Sequence, residues 1–285
     1  MTDSAPADLV VQAQDIATPQ IKQLAHLAGA DSIDALTAAE TQAFRLSPVR
    51  NRSGVAEFCA EAGIDCGFVP RDQRLDSVRL VAMDMDSTLI TIECVDEIAD
   101  MRGLKPEIAA ITASAMRGEI DFRESLARRV ALLAGLDVAA LSRVYDERLR
   151  LSPGAERMLA GFARAGARTL LVSGGFTFFT ERLKARLGLD YTVASTLEIA
   201  DGKLTGRIAG EIVDGRAKAD VFARLGRELA GDDGLTVAIG DGANDLPMLR
   251  LADVSFAYHA KPAVRAATTY AIDQCGLDAI LNFFR

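Results

Sequence analysis

The sequence predicts an α/β protein with a parallel, Rossmann-like sheet, because strand-like and helix-like segments alternate along the chain. Three apolar runs typical of buried strands each lead directly into small and polar residues: Val78–Met83, Thr169–Val172 and Leu235–Ile239. Segments with the apolar spacing of helices lie between them: Arg157–Ala165, Phe179–Leu187 and Ala217–Leu229. Such alternation favours parallel strands joined by right-handed crossovers.

A long interval separates the first two strands. Residues 92–151 exceed what a single crossover helix needs, and they predict four consecutive helices: Cys94–Met101, Pro106–Arg117, Asp121–Leu133 and Val138–Leu149. We expect them to form a helical cap beside the mouth of the sheet. The alternative is that they are extra helices on one sheet face. With the cap removed, the core comprises residues 76–91 and 152–285.

Residues 1–75 are expected to form a separate, small α/β unit whose role the sequence does not reveal. The unit has two candidate strands and two candidate helices: Leu9–Val11, Cys66–Val69, Thr18–Ala28 and a helix from Ser53, as its cap, to Ala62. No motif within it carries chemistry.

Composition excludes several classes of function. The chain has 285 residues, 49% of them hydrophobic, and its 32 Lys and Arg against 40 Asp and Glu give a net charge of −8. Without a basic stripe, neither nucleic acid nor an anionic membrane is expected as a partner. The four cysteines form no CxxC pair and the two histidines are far apart, so a zinc cluster or a disulfide framework is not expected. With no secretory signal apparent, we expect a cytoplasmic protein.

The candidate site begins where the first predicted strand ends. Asp84 and Asp86 are spaced i, i+2, so in an extended chain both carboxylates can point toward the same side. Adjacent carboxylates repel each other unless a cation or a shared proton relieves them. Open α/β sheets bind ligands at the carboxyl ends of their strands, so this pair suggests a catalytic or metal site. An ordinary solvated turn would give the same pattern.

The ends of the other two predicted strands add matching groups. Ser173, Gly174 and Gly175 offer a hydroxyl and accessible backbone N–H groups to an anion, although they also fit a tight turn. Asp241 and Asp245 lie at a strand–helix junction, and oxygen ligands of this kind suit Mg²⁺. A capped helix after an Asp-Gly turn is the alternative. Lys218 opens the preceding helix, where a lone lysine is usually solvated, so its interest comes from its place in this order of motifs.

Taken together, these motifs resemble those of the haloacid dehalogenase superfamily of phosphatases and phosphotransferases. The matching motifs are Asp84-Met85-Asp86-Ser87-Thr88, Ser173, Lys218 and Gly240-Asp241-Gly242-Ala243-Asn244-Asp245. Further stretches are similar to the phosphoserine phosphatases of that superfamily: Ile92–Ala99, Asp121–Val130, Leu197–Gly206, Ile212–Asp214 and His259–Pro262. The resemblance covers about Leu80 to Arg285. It implies a haloacid dehalogenase-like core and a Mg²⁺-dependent enzyme that hydrolyses O-phosphoserine in the last step of serine biosynthesis. Ser195 departs from the pattern, which more often has Asn there.

The resemblance also implies roles for individual residues. Asp84 would be the nucleophile and Asp86 the general acid and base, with Mg²⁺ bound by the Asp84 carboxylate, the Asp86 carbonyl and Asp241, and supported by Asp245. The residues implied to contact the phosphoryl group are Ser173, Gly174, Lys218 and Asn244. Those implied to contact the rest of the substrate are Glu93 for its ammonium group, Arg129 for its carboxylate and Phe122 as an apolar wall.

Three other functions share some of these features. The same chemistry could act on another small phosphate ester, such as phosphothreonine or a sugar phosphate. A receiver-type signalling module also uses a phosphorylated Asp, Mg²⁺, a hydroxyl and a Lys, but it lacks the second acid at +2 and an inserted cap. A binding protein derived from an enzyme is the third alternative, and the intact motif acids argue against it.

Overall fold

The computed structural model describes residues 7–231 and 233–285. Its N-terminal part is a four-stranded antiparallel sheet, in the order β2-β3-β1-β4, with two helices. Its elements are β1 (Ala7–Ala13), α1 (Thr18–Ala28), β2 (Ser32–Leu36), β3 (Gln42–Ser47), α2 (Val55–Ala62) and β4 (Asp65–Pro70). The two predicted strands and α1 are confirmed, whereas β2 and β3 were not predicted.

The predicted cap of α2 is wrong. The residue that precedes the helix is Gly54, with a φ of 77°, and no side chain caps the helix there. The chain enters the helix through a left-handed conformation that glycine adopts without a steric penalty, and this places Ser53 one residue too early to cap it.

The core is a seven-stranded sheet in the order β11-β10-β9-β5-β6-β7-β8. Its strands are β5 (Val78–Met83), β6 (Arg168–Phe176), β7 (Tyr191–Ala200), β8 (Lys203–Ala209), β9 (Leu235–Gly240), β10 (Val254–Tyr258) and β11 (Tyr270–Ile272). All neighbours pair in parallel except β7 and β8. The three predicted strands are β5, β6 and β9, and they lie side by side in the centre. The α/β class and the parallel sheet are therefore confirmed, and the motifs that end these strands share one sheet edge.

Residues 92–151, which follow β5, contain four helical segments. They are α3 (Cys94–Asp100), α4 (Lys105–Met116), α5 (Phe122–Ala131) and α6 (Ala139–Arg143), which continues as a π-helical turn over Val144–Arg148. The segment leaves and re-enters the core at one point, where Ile90 and Leu151 form an isolated bridge and the Thr91 N–H donates to the Arg150 carbonyl at 3.0 Å. Apolar residues of α3 and α5 are buried in the same cluster as those of β5 and β6.

The remaining helices complete the core. They are α7 (Ala155–Arg164), α8 (Thr177–Leu187), α9 (Gly215–Ala230), α10 (Leu246–Leu249) and α11 (Pro262–Arg265), followed by a 3₁₀ segment over Leu277–Phe283. The first three confirm the predicted core helices, with ends shifted by a few residues. Among the described residues, no helix combines the length and the apolar character that crossing a membrane requires.

Buried polar contacts join the N-terminal sheet to the end of the chain. The fully buried Asp8 of β1 forms ion pairs with Arg71 and with Arg285. Arg45 of β3 donates to the carbonyl of Asn282 at 2.8 Å and to that of Phe284 at 3.0 Å. Because charged groups this deeply buried are costly to separate from their partners, these contacts fix the N-terminal sheet against the core.

Candidate active site

Asp84 lies where β5 gives way to a tight loop. Its N–H donates to the Ile239 carbonyl of β9 at 3.1 Å, so the residue is still held by the sheet. One carboxylate oxygen, Oδ1, accepts from the Met85 N–H at 2.7 Å and from Lys218 Nζ at 2.8 Å. The other oxygen, Oδ2, has no hydrogen bond among the described residues and is free to meet a ligand.

Lys218 is fully buried between two carboxylates, so the interpretation of it as a solvated lysine is wrong. Its Nζ lies 2.8 Å from Asp84 Oδ1 and 2.7 Å from Asp245 Oδ1. The side chain arises from the first turn of α9, which Asp214 caps by accepting from the Ala217 N–H at 3.0 Å. Burial disfavours the ammonium form, but Asp245 and Asp84 outweigh it and raise the pKa of Lys218. The lysine is therefore a permanent cation beneath the site.

Three carboxylates cluster around this cation. Asp84, Asp241 and Asp245 each offer an oxygen, and these oxygens lie within 4.8 Å of one another. Burial and the neighbouring Asp245 raise the pKa of Asp241 to about 6, although Thr88 Oγ1 donates to it at 3.0 Å. The same two causes raise the pKa of Asp84, against the attraction of Lys218. One lysine does not neutralise three acids, so the cluster fits a divalent cation.

Asp245 differs from the other two acids, because both its oxygens are already occupied. Oδ1 accepts from Lys218, and Oδ2 accepts from the Gly242 N–H at 3.1 Å. Asp84 and Asp241 each retain one carboxylate oxygen without a hydrogen bond among the described residues. This arrangement suits Asp84 and Asp241 as direct ligands and Asp245 as a supporting group.

The loop at the end of β6 lies directly against Asp86. Gly175 N–H donates to Ser173 Oγ at 2.8 Å, and a Cβ on Gly175 would lie 2.8 Å from Asp86 Oδ2. Only glycine therefore allows the Asp86 carboxylate to approach this loop so closely.

Ser195, the residue that departs from the family pattern, is fully buried in β7. Its Oγ accepts from the Val213 N–H at 3.0 Å. Ser195 therefore connects β7 to the segment that precedes α9.

Asp86 has the environment of a proton donor. Its Oδ1 accepts from the Cys94 N–H at 3.2 Å. Burial and the nearby Glu93 raise the pKa of Asp86 to about 7. A carboxyl with that pKa exchanges a proton readily near neutral pH, which general acid and base catalysis requires.

A cavity of about 570 Å³ lies above these groups, between the sheet edge and the helical segment. Phe122 of α5 reaches in so far that a Cβ on Gly174 would lie 2.7 Å from its ring. Arg129 of α5 also lines the cavity; it forms no ion pair among the described residues, and its Nε is buried without a hydrogen-bond partner. An unpaired, half-buried guanidinium is costly, so the cavity wall is prepared for an anionic group.

The structure brings all the predicted site residues together. Nine of them line the cavity: Asp84, Asp86, Glu93, Phe122, Arg129, Ser173, Gly174, Asp241 and Asn244. Lys218 and Asp245 lie directly beneath, in contact with Asp84 or with each other. The sequence analysis assigned no role to three residues of the site: Thr88, Thr112 and Lys261. Thr88 lies within the first motif and Lys261 within the last matching stretch. No local signal marks Thr112, whose hydroxyl is buried in the cavity wall with no hydrogen-bond partner among the described residues.

Comparison with known proteins agrees with the fold and the site. Residues 81–250 match the model of the haloacid dehalogenase-like hydrolases, and residues 9–55 match a domain of unknown function, DUF4072. The chain therefore belongs to the haloacid dehalogenase-like hydrolases. It is an enzyme of this class and not a receiver-type module.

The relatives define the group within that family. A phosphoserine phosphatase from Polaromonas is 52% identical over 228 residues, which span 78% of this chain and 97% of the relative. The crystal structure of a probable phosphoserine phosphatase from Vibrio cholerae has a TM-score of 0.82 at 32% identity, covering 99% of this chain and 88% of the other. A substrate-bound phosphoserine phosphatase structure covers 73% of this chain and 99% of the other, with a TM-score of 0.67 at 35% identity. This chain thus falls among the phosphoserine phosphatases of the family.

Proposed function

We propose that the protein is a Mg²⁺-dependent hydrolase that converts O-phosphoserine into serine and phosphate through a phosphorylated Asp84. The observation that carries the proposal is the convergence of Asp84, Asp241 and Lys218 at a cavity that Glu93 and Arg129 also line. The first group suits phosphoryl transfer to a carboxylate, and the second suits an amino acid.

Mg²⁺ fits the carboxylate cluster, because it prefers oxygen ligands and retains several waters. The proposed ligands are Asp84, Asp241 and the Asp86 backbone carbonyl, with Asp245 holding Lys218 and the Gly242 amide. When bound, the ion offsets negative charge on the carboxylates and on the phosphoryl oxygens, so that the Asp84 carboxylate stays ionised.

In the first half-reaction a carboxylate oxygen of Asp84 attacks phosphorus in line with the serine oxygen. As the new P–O bond forms and the P–O bond to serine breaks, Asp86 donates its proton to the departing oxygen. Its raised pKa, about 7, supports this role. In the second half-reaction Asp86 takes a proton from a water that attacks phosphorus, which releases phosphate and restores the Asp84 carboxylate.

The transferring phosphoryl group needs donors for its oxygens. We assign this role to the Ser173 hydroxyl, the Gly174 amide, Lys218 and Asn244. Loss of one donor that acts chiefly in the transition state costs about 3 kcal/mol, or roughly a hundredfold in rate.

The rest of the substrate is recognised by the cap. Glu93 suits the ammonium group and Arg129 the carboxylate, because each faces the cavity without an ion pair to another described residue. Phe122 closes the apolar side above Gly174. The proposed partner is thus a small molecule. On the same grounds of resemblance we assign the enzyme to the last step of serine biosynthesis and to the cytoplasm.

A substrate panel tests the assignment. We expect the highest kcat/KM for O-phosphoserine, with lower values for phosphothreonine and for a sugar phosphate. Arg129→Gln and Glu93→Gln should each lower kcat/KM for O-phosphoserine about 10- to 100-fold, because each removes a hydrogen-bonded charge pair. Steady-state phosphate release measures these effects, and p-nitrophenyl phosphate is the control, since it has neither group to lose. Equal rates on all esters would contradict the substrate assignment while leaving the chemistry intact.

Mg²⁺ should raise the melting temperature, and more so at about pH 7.5 than at about pH 5. The folded-state pKa of Asp241, about 6, lies above the ordinary value of 3.8, so its ionisation destabilises the metal-free fold as pH rises through that interval. The ion removes this penalty, and at low pH protons compete with it for the carboxylate.

Thermal melts with Mg²⁺ and with EDTA at both pH values measure the effect, and Asp241→Asn is the control that should lose most of it. A shift of equal size at both pH values, or one retained in Asp241→Asn, would exclude Asp241 as a ligand.

A further inference from the structure

Ser87 has an unusual backbone conformation for its residue type. In the loop after β5 its φ is 56° and its ψ is 3°, in the left-handed region that residues with a Cβ seldom adopt. Such a conformation is strained for a residue with a Cβ, so surrounding contacts must hold it.

The N–H and the hydroxyl of Ser87 both contact residues at the start of the helical segment. Its N–H donates to the Ile92 carbonyl at 3.2 Å, and its hydroxyl donates to Glu93 Oε1 at 2.8 Å. Next to it, Asp86 Oδ1 accepts from the Cys94 N–H at 3.2 Å. Three hydrogen bonds therefore connect the loop after β5 to residues 92–94. One of them is accepted by the side chain of Glu93, which lines the cavity.

Glu93 has few other partners. Across residues 7–231 and 233–285 it forms no ion pair, and its only side-chain hydrogen bond comes from Ser87. Free rotation of a long carboxylate would weaken its selectivity, because ordering it on binding costs side-chain entropy. With Oε1 fixed by the serine, Oε2 remains available to a cation in the cavity.

We propose that Ser87 is a positioning residue that fixes Glu93 for the ammonium group of the substrate. This inference rests on the function proposed above and extends it. Because of the left-handed turn at Ser87, one short loop carries both Asp84, the proposed nucleophile, and the hydroxyl that holds Glu93. The hydroxyl does not touch the reacting atoms; it acts through Glu93.

Two truncated substrates separate this role from a general structural one. O-phosphoethanolamine keeps the ammonium group and lacks the carboxylate, and 3-phosphooxypropanoate has the opposite pattern. For Ser87→Ala we expect kcat/KM to fall about tenfold on O-phosphoserine and on O-phosphoethanolamine, with no comparable fall on 3-phosphooxypropanoate. Ser87→Gly should show the same losses of kcat/KM as Ser87→Ala, because glycine also lacks the hydroxyl although it adopts the left-handed conformation without strain. Arg129→Gln is the matched control and should show the reverse preference.

The possible results are distinct. An equal loss on all three esters, no loss on any, or normal selectivity in Ser87→Gly would overturn the role of the hydroxyl. A wild-type enzyme that hydrolyses O-phosphoserine no better than 3-phosphooxypropanoate would overturn ammonium recognition itself, and with it both the substrate assignment and this inference. Because this comparison uses only the wild-type enzyme, failure of the substrate assignment can be distinguished from failure of the role of Ser87.

Discussion

Replacing Asp84 with Asn is expected to reduce phosphate release from O-phosphoserine by at least about 10⁴-fold, the scale seen when a covalent nucleophile is removed. The amide is nearly isosteric, and its oxygen can still accept from the Met85 N–H and from Lys218. It is, however, uncharged and a poor nucleophile toward phosphorus. The loss should therefore appear in kcat with little change in the fold.

A labelled-phosphate trapping experiment completes this test. Acid quenching of the wild-type enzyme during turnover should leave the phosphoryl group on Asp84, and the Asn variant should retain none. Melting temperatures in EDTA provide the folding control. Because burial and Asp245 raise the pKa of Asp84, the carboxylate is disfavoured in the metal-free fold, and we expect the Asn variant to melt no lower than the wild type. Retained activity in a folded Asn variant would remove Asp84 as the nucleophile.

Replacing Lys218 with Met is expected to lower the free energy of unfolding by about 3–5 kcal/mol. The side chains of Lys218 and Asp245 are fully buried and that of Asp84 is nearly so, so solvent screens none of these contacts. Without the ammonium group two carboxylates remain unpaired in the interior. We also expect activity to fall about a hundredfold or more, because a donor to the phosphoryl oxygens is lost and Asp84 is no longer oriented.

A double variant identifies the cause of this instability. Urea unfolding in EDTA should show that Lys218→Met combined with Asp245→Asn is less destabilised than the sum of the two single changes, because removing both charges leaves less unpaired. Lys218→Met without measurable destabilisation, or strict additivity, would mean that the three groups are not coupled. Activity should remain low in the double variant, since the catalytic donor is still absent.

Much of the fold was predictable because it depends on local patterns of apolar residues along the chain. Most of each of the strands Val78–Met83 and Leu235–Gly240 is an uninterrupted buried run without polar side chains, residues 80–83 and 237–240, as expected of strands covered on both faces. The strand at Ser32–Leu36 was missed for the opposite reason: it lies at the sheet edge, and its residues are half-buried or exposed. Such a strand needs no apolar face, so its sequence carries no signal that distinguishes it from a loop.

The candidate site, like the fold, could be predicted from the sequence only in part. Its acids, its small residues and its lysine can be read from the chain, because parallel strands deliver whatever follows them to one sheet edge. That rule, with the family resemblance, was sufficient to assemble Asp84, Ser173 and Asp241 and to suggest Mg²⁺.

The arrangement of the charges depends on the tertiary fold. The fold buries Lys218 between Asp84 and Asp245 and turns Ser87 so that its hydroxyl donates to Glu93. It also leaves Arg129 in the cavity wall with no ion pair to any residue that the structure describes. None of this follows from the sequence alone, because burial and pairing depend on elements far apart in the chain. The amino-acid sequence alone specifies which chemical groups are present and which strands carry them to the sheet edge. The packing of the helical segment and α9 against those strands sets which groups come into contact, because short-range electrostatics depends on distances that exist only in the folded chain.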